Sequence, residues 1–420
     1  MAPDNSSHAD LIRALRNTLI NLSENPYPHV SNPENCKKRA SVALILRVRQ
    51  SFHDDPARAT PRSLEQFFEQ EWVQRGDPEA IFIKRAARQG DRWTSHVALP
   101  GGKRDAEDAD DRAVAIRETA EEIGLDLNSP NALFVGNLPE RVVSTSWGKV
   151  PIMVLCPFVF LWTQPDVPPL KLQPNEVAST HWVPLRILLS PSSRTSEYTD
   201  VSDRFTRQGG PVMKTLVRSM VGHMRFSAIR LIPSESLFCS STAEFFADDA
   251  PLSHTWHAQM RRWWFGSNAV SPETRPLLLW GLTLGMLADF LEQLPPHNAI
   301  ELWSYPTFTT WDVRFIIHLL TRSLKRENEA RLGVSQTAMD GETQALATNS
   351  DISSAGRRNE KVTPTLKGKN QTRSYAVGIM LEGYYDLARQ GVWIATGVRV
   401  AVLAMAVYLV APKLVSRYFQ

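Results

Sequence analysis

The chain has 420 residues, 43% of them hydrophobic, and 47 Lys+Arg against 44 Asp+Glu leave a formal net charge of +3. Such a length exceeds one ordinary domain of about 100–200 residues, and such a hydrophobic share excludes a chain disordered throughout. Near-neutral charge argues against a surface built for nucleic acid.

The three cysteines, Cys36, Cys156 and Cys239, are far apart. They offer neither a metal spacing nor a disulfide framework, which fits a reducing compartment.

Residues 1–37 read as an N-terminal extension. It holds a short amphipathic helix, Leu11 to Leu22, and then a loop rich in Pro and Asn. No secretory signal pattern is visible, because no apolar run follows a basic start. From Ala40 the pattern is mixed α/β. Ser41–Arg47, Ala80–Lys84 and His96–Leu99 read as strands, the last stopped by Pro100-Gly101-Gly102. Asp111–Ile123 reads as a helix. Ala132–Val135, Val150–Trp162 and Val177–Val183 read as strands, with a turn at Trp147-Gly148. Pro191–Pro272 matches no pattern, although Trp256, Trp263 and Trp264 cluster there. Leu277–Leu294 and Trp311–Leu332 have helical character. Residues 333–372 are polar, hold no aromatic residue and read as a flexible linker. Residues 373–420 read as a helical, hydrophobic C-terminal segment.

The helix after the Gly-Gly turn is the most informative stretch. At about 100° per residue, Ile116, Ala120 and Ile123 share one side, and Glu118, Glu121 and Glu122 gather opposite. Three carboxylates at i, i+3 and i+4 repel on a bare helix. A hard divalent cation such as Mg²⁺, which prefers oxygen ligands and suits phosphate-bearing substrates, makes the arrangement favourable. Arg117 is placed to pair with Glu121 at i+4. Gly124 is a natural terminator, and Gly101 and Gly102 permit a tight turn.

The whole string resembles the Nudix hydrolase box, G-x5-E-x7-R-E-U-x-E-E-x-G-U. Arg117-Glu118, Glu121-Glu122, Gly124 and Leu125 match its second half, with Thr119 where an apolar residue is usual. The first half departs. Counting back from Arg117, the expected Gly falls on Lys103 and the expected Glu on Ala109, so Gly102 is one residue early. Asp108 and Asp110 are the candidates to replace that Glu. The Pro-Gly-Gly turn, the longer gap and the upstream arginines Arg85 and Arg92 resemble the coenzyme A diphosphatase branch, though Ser95 stands where Gly is usual. This likeness runs over residues 38–294.

The resemblance implies an α/β/α sandwich with a mixed sheet over residues 38–294; the sequence pattern adds helical extensions at 295–332 and 373–420. It implies metal-dependent hydrolysis of a diphosphate in a small molecule, with Mg²⁺ or Mn²⁺ held by Glu118, Glu121 and Glu122. Arg117 would orient these ligands. A box glutamate or Glu176 would act as general base, and Arg85, Arg92, Gly101 and Gly102 would bind substrate phosphates. Coenzyme A or an acyl derivative is the expected substrate. Another dinucleotide or nucleotide sugar is the alternative, and an inactive scaffold with the Nudix fold is the alternative of a different class. His96, between apolar residues, reads as structural.

Residues 392–411 hold one charge, Arg399, and are followed by Lys413 and Arg417. Twenty helical residues span about 30 Å, a bilayer core. The expectations are a membrane anchor or an amphipathic helix that packs on the domain or lies on a membrane surface, in an intracellular setting that is membrane-tethered, peroxisomal or mitochondrial. The sequence leaves the oligomeric state undetermined.

Overall fold

Strand β1 (Arg39–Arg49) shows how the core is layered, because its alternate side chains enter two different clusters. Leu44, Leu46 and Val48 pack into one cluster with Leu15 and Leu19, whereas Ala43 and Ile45 pack into another with Ala115 and Ile123. A strand covered on both faces reads as a nearly continuous apolar run, as this one does. The computed structural model describes residues 5–50, 60–87, 95–145, 150–200, 211–239, 276–348 and 376–418.

Helix α1 (Asn5–Glu24) precedes β1. Then come α2 (Leu64–Phe68), α3 (Glu71–Gln74), β2 (Asp77–Arg85), β3 (Val97–Ala98), β4 (Gly101–Lys103) and α4 (Asp111–Ile123). Strands β5 (Ala132–Asn137), β6 (Arg141–Thr145), β7 (Val150–Trp162) and β8 (Val177–Pro184) lead to α5 (Leu185–Leu189). The next segment holds β9 (Arg194–Asp200), α6 (Pro211–Val221), β10 (His223–Arg230), β11 (Glu235–Phe238) and β12 (Leu278–Trp280). The chain closes with α7 (Gly281–Leu291), β13 (Thr307–Phe308), α8 (Trp311–Thr348), α9 (Ala376–Leu381) and α10 (Tyr384–Tyr418).

The large sheet runs β11-β8-β2-β1-β7-β5, with β3 on β2, β4 on β1 and β6 on β7. The β1–β7 pair is parallel and the other pairs are antiparallel, so the sheet is mixed, as expected. Helix α4 covers one face, and α1 covers the other. This is the expected α/β/α sandwich with a helical C-terminal segment.

Several expectations change in detail. Pro191–Pro272, featureless in sequence, supplies much of a second sheet in which β10 pairs with β9, β12 and β13. The apolar run at Leu277 is not helical from its start. Leu278–Trp280 is a strand, and Gly281, at φ +66°, turns the chain into α7. Helix α8 runs sixteen residues past Leu332, through the first part of the expected linker; no Pro interrupts it and Ala, Glu and Gln recur. The rest of that linker, the Trp147-Gly148 turn, Arg92, and Trp256, Trp263 and Trp264 lie outside the described residues.

A buried ion pair joins the two sheets' surroundings. Arg141 on β6 bonds both the Asp289 carboxylate and, at 2.8 Å, the Gly285 carbonyl of α7. Cys36, Cys156 and Cys239 are free and buried.

Candidate active site

Asp110 caps α4 by accepting the Ala113 N–H at 2.7 Å, and Gly124, at φ +73°, ends it. The helix then lies on the sheet with Val114, Ala115, Thr119, Glu122 and Ile123 buried. Ala120 is exposed, contrary to the expected apolar face. Thr119 replaces it inside because its hydroxyl donates to the Ala115 carbonyl at 2.7 Å, leaving its methyl to pack.

This rotation separates the three glutamates. Glu121 is on the open side and accepts from Arg117 Nη1 at 3.1 Å, the i,i+4 pair expected from spacing. Glu118 is half-buried beneath the Gly-Gly turn. A Cβ on Gly102 would come within 2.4 Å of both its carboxylate oxygens. Glu122 is only 2% exposed and accepts the Gly101 N–H at 2.9 Å. Gly101 pairs with Val42 in β1, so the turn hangs directly on the central strand. At φ +146° Gly101 occupies backbone space closed to side chains, and a Cβ there would meet the Ser41 carbonyl at 2.2 Å.

Burial pushes Glu122 up to about 8, and the neighbouring Glu118 and Glu176 push it the same way; the Gly101 N–H and Arg85 oppose them. Burial also raises Glu118, against the pull of Arg117 and with the repulsion of Glu121 and Glu176. Glu176 and Arg85 therefore belong to the same electrostatic neighbourhood as the helix carboxylates. The strand pairing explains this, because Arg85 lies opposite Val177, and Ala86 N–H donates to the Glu176 carbonyl at 2.8 Å.

Arg117 holds the outer side. Its Nε and Nη2 donate to the two oxygens of Asp108 at 2.9 and 3.0 Å, and Nη2 also reaches the Lys103 carbonyl at 3.1 Å. Glu118 lies 3.2 Å away. Asp108 is held below the ordinary carboxylate range chiefly by these bonds. Of the two acids weighed for the missing box Glu, Asp108 clamps the arginine and Asp110 caps the helix.

Two features upstream were only half-legible. Ser95, where the branch usually has Gly, has φ +59°, a conformation that favours glycine. The His96 ring packs edge-on against Trp280 of the second sheet, with centroids 4.9 Å apart.

A second carboxylate cluster went unnoticed in the sequence. His29, Asp111 and Glu140 bring three ligand atoms within 4.8 Å of one another. A cation already sits among them: Arg39 donates to Asp111 at 2.7 Å, to Glu140 at 2.7 Å, and to Val30 and Asn32. That guanidinium meets the charge a metal would supply. The α4 carboxylates are different. Glu118 and Glu122 are raised first by burial and then by neighbouring carboxylates, against the pull of Arg117 and Arg85, and an all-oxygen donor set of this kind fits a hard divalent cation.

The family model described as NUDIX domain matches residues 72–205. The uncharacterized protein C14C4.10c of Schizosaccharomyces pombe is 34% identical over 291 residues, 68% of this chain and 75% of that protein. The chain belongs to the Nudix family. Membership makes it a hydrolase of the diphosphate-cleaving class. Among solved structures, a C. elegans Ap4A hydrolase is 17% identical, covering 36% of this chain and 82% of its own at a TM-score of 0.25. RenU, a Nudix hydrolase from M. smegmatis, is 14% identical and covers 36% of this chain and 74% of its own, also at 0.25.

Proposed function

We propose that this Nudix hydrolase cleaves the diphosphate of coenzyme A or an acyl derivative, using Mg²⁺ or Mn²⁺ held by Glu118, Glu121 and Glu122. The observation that carries the metal reading is the pair of desolvated carboxylates, Glu118 and Glu122, packed against the Gly101-Gly102 backbone. When bound, the cation supplies charge to offset developing negative charge on the diphosphate and lowers the pKa of a bound water. Arg117, itself fixed by Asp108, positions Glu118 and Glu121. Glu176, close enough to raise Glu118 and Glu122, is a second carboxylate able to accept the proton of the attacking water, as is a box glutamate. Arg85 offers donors to substrate phosphate, and Arg92, Gly101 and Gly102 are assigned to phosphate binding on sequence alone, the Gly101 N–H being taken by Glu122.

The coenzyme A reading rests on the Pro100-Gly101-Gly102 turn, the upstream arginines and the likeness over residues 38–294. The shifted first half of the box was the feature favouring an inactive scaffold. Asp108 on Arg117 supplies the carboxylate contact that the missing Glu left open, which weighs for an enzyme.

We further propose that α10 anchors the hydrolase in an intracellular membrane. An 18-residue stretch within Tyr384–Leu409 has a mean hydropathy of 1.9, and the helix is long enough to cross one. A substrate panel with Mg²⁺ or Mn²⁺, read as release of 3′-phosphoadenosine phosphate from coenzyme A, tests the substrate. Turnover of another dinucleotide with none of coenzyme A would reject it.

A further inference from the structure

Ser41, near the start of β1, is completely buried. Its neighbours two residues away on either side show which face it occupies. Arg39 donates to Asp111 at the start of α4, and Ala43 packs with Ala115 and Ile123 of the same helix. Side chains two apart on a strand share a face, so the Ser41 side chain lies beneath α4. Its hydroxyl has no hydrogen-bond partner among the described residues. The polar groups around it are satisfied: Arg39 also donates to Glu140 at 2.7 Å, and the Thr119 hydroxyl donates to the Ala115 carbonyl. A buried hydroxyl without a partner is destabilising and rare in folded proteins, so one that persists calls for a reason.

The sheet register puts this hydroxyl beside a helix carboxylate. Ser41 lies opposite Gly102 in the antiparallel β1–β4 pair. Side chains at such positions share a face of the sheet, with Cβ atoms about 4.5–5.5 Å apart. Gly102 has no Cβ, and Glu118 fills the place of one. Its carboxylate carbon comes within 2.3 Å of that point. The Ser41 hydroxyl and the Glu118 carboxylate are therefore neighbours over one rung of the ladder, and Gly102 puts no side chain between them. Glu118 meets Arg117 through Oε1 at 3.2 Å, and a carboxylate accepts at both oxygens. Rotation about the Ser41 and Glu118 side-chain torsions, between ordinary staggered wells, would close the remaining gap.

We infer that Ser41 is a positioning residue: in the cation-bound site its hydroxyl donates to the Glu118 carboxylate and fixes which oxygen faces the cation. The inference rests on the reading that Glu118 and Glu122 hold Mg²⁺ or Mn²⁺. Glu122 is already tied to the same ladder by the Gly101 N–H at 2.9 Å. Ser41 supplies the matching tie for Glu118, so that the β1–β4 pair holds both ligands. Carboxylates that ligate a metal are themselves hydrogen-bonded, and removing such a partner typically weakens metal binding by about 10–100-fold.

The test titrates Mn²⁺ calorimetrically into the full-length chain in detergent, for the parent and for Ser41→Ala. Both proteins are also unfolded in urea with a chelator present. The Mn²⁺ Kd of the variant should rise at least about tenfold. In chelator the variant should unfold at the same urea concentration as the parent or a higher one, because it loses an unpaired hydroxyl. Clear binding by the parent with an unchanged Kd in the variant would overturn the role of Ser41 and leave the metal reading standing. A lower urea midpoint in chelator would also overturn it, since the hydroxyl would then have a partner in the cation-free fold. Failure of the parent itself to bind Mn²⁺ would reject the metal reading, and the role of Ser41 with it.

Discussion

Glu122→Gln separates what this carboxylate does for chemistry from what it does to the fold. The side chain is 2% exposed, and burial raises it from 4.5 to about 8. A carboxyl raised in the folded state holds its proton more tightly there than in the unfolded chain. Its stabilising effect is present below about 4.5 and is lost as pH rises toward 8. At about 1.4 kcal/mol per unit, the shift of about 3.5 units makes ionising Glu122 in the metal-free protein cost about 5 kcal/mol. Gln keeps the shape and the acceptor for the Gly101 N–H but has no charge. In urea unfolding with a chelator present, the variant should therefore exceed the parent by about 3–5 kcal/mol at pH 8.5, and by about 1 kcal/mol at pH 5. Adding Mg²⁺ should reverse the order, because the parent gains ligand-linked stability and the variant loses most of it. Hydrolysis by the variant should be abolished at either pH. A difference that stays constant between pH 5 and 8.5, or a variant weaker than its parent at pH 8.5, would refute the assignment of a desolvated, uncompensated carboxylate.

Three further outcomes are expected. Gly102→Ala should leave the melting temperature nearly unchanged yet lower kcat at least tenfold, because its Cβ displaces the mobile end of Glu118, whereas Gly101→Ala should also lose stability by meeting the Ser41 backbone. Ser95→Gly should stabilise the chain by about 1 kcal/mol in denaturant unfolding, since it relieves a positive φ without removing an apolar contact. Asp289→Ala should destabilise by about 3–5 kcal/mol in the same measurement, as it leaves Arg141 buried against α7 without its carboxylate.

Legibility in the sequence followed the range of the interactions. Helix α4 and strand β7 have the bounds their patterns predict, because the Asp110 cap, the Gly124 stop and a long β-rich run are local signals. The Arg117–Glu121 pair was equally visible at i,i+4. Which face of α4 is buried was not, since Glu122 is drawn inward by the Gly101 N–H of a turn hung on β1, and that pulls Thr119 in and leaves Ala120 out. Strand β9, with the sequence RTSEYTD, carries no apolar alternation and exists by pairing with β10. The Arg39 cluster joins residues up to 117 positions apart, and Asp312 finds Arg399 across 87; neither partnership leaves a trace in local spacing. The apolar C-terminus was plain by composition, but its division into a docked half and an exposed half depends on Ile317 and Gly391 meeting.

The antiparallel return of α9 and α10 onto α8 also bears on how the enzyme responds to proteolysis. A peptide bond cut anywhere between Thr348 and Ala376 leaves the last 45 residues wedged among Val313, Ile317 and Phe308, and held by Asn328 and Asp312. The two fragments would stay together as a nicked but whole hydrolase. If α10 crosses a membrane as proposed, shedding would require a cut beyond Arg399 or unfolding of the second sheet, so a protease acting between Thr348 and Ala376 would change the length of the polypeptides on a denaturing gel and not the address of the activity.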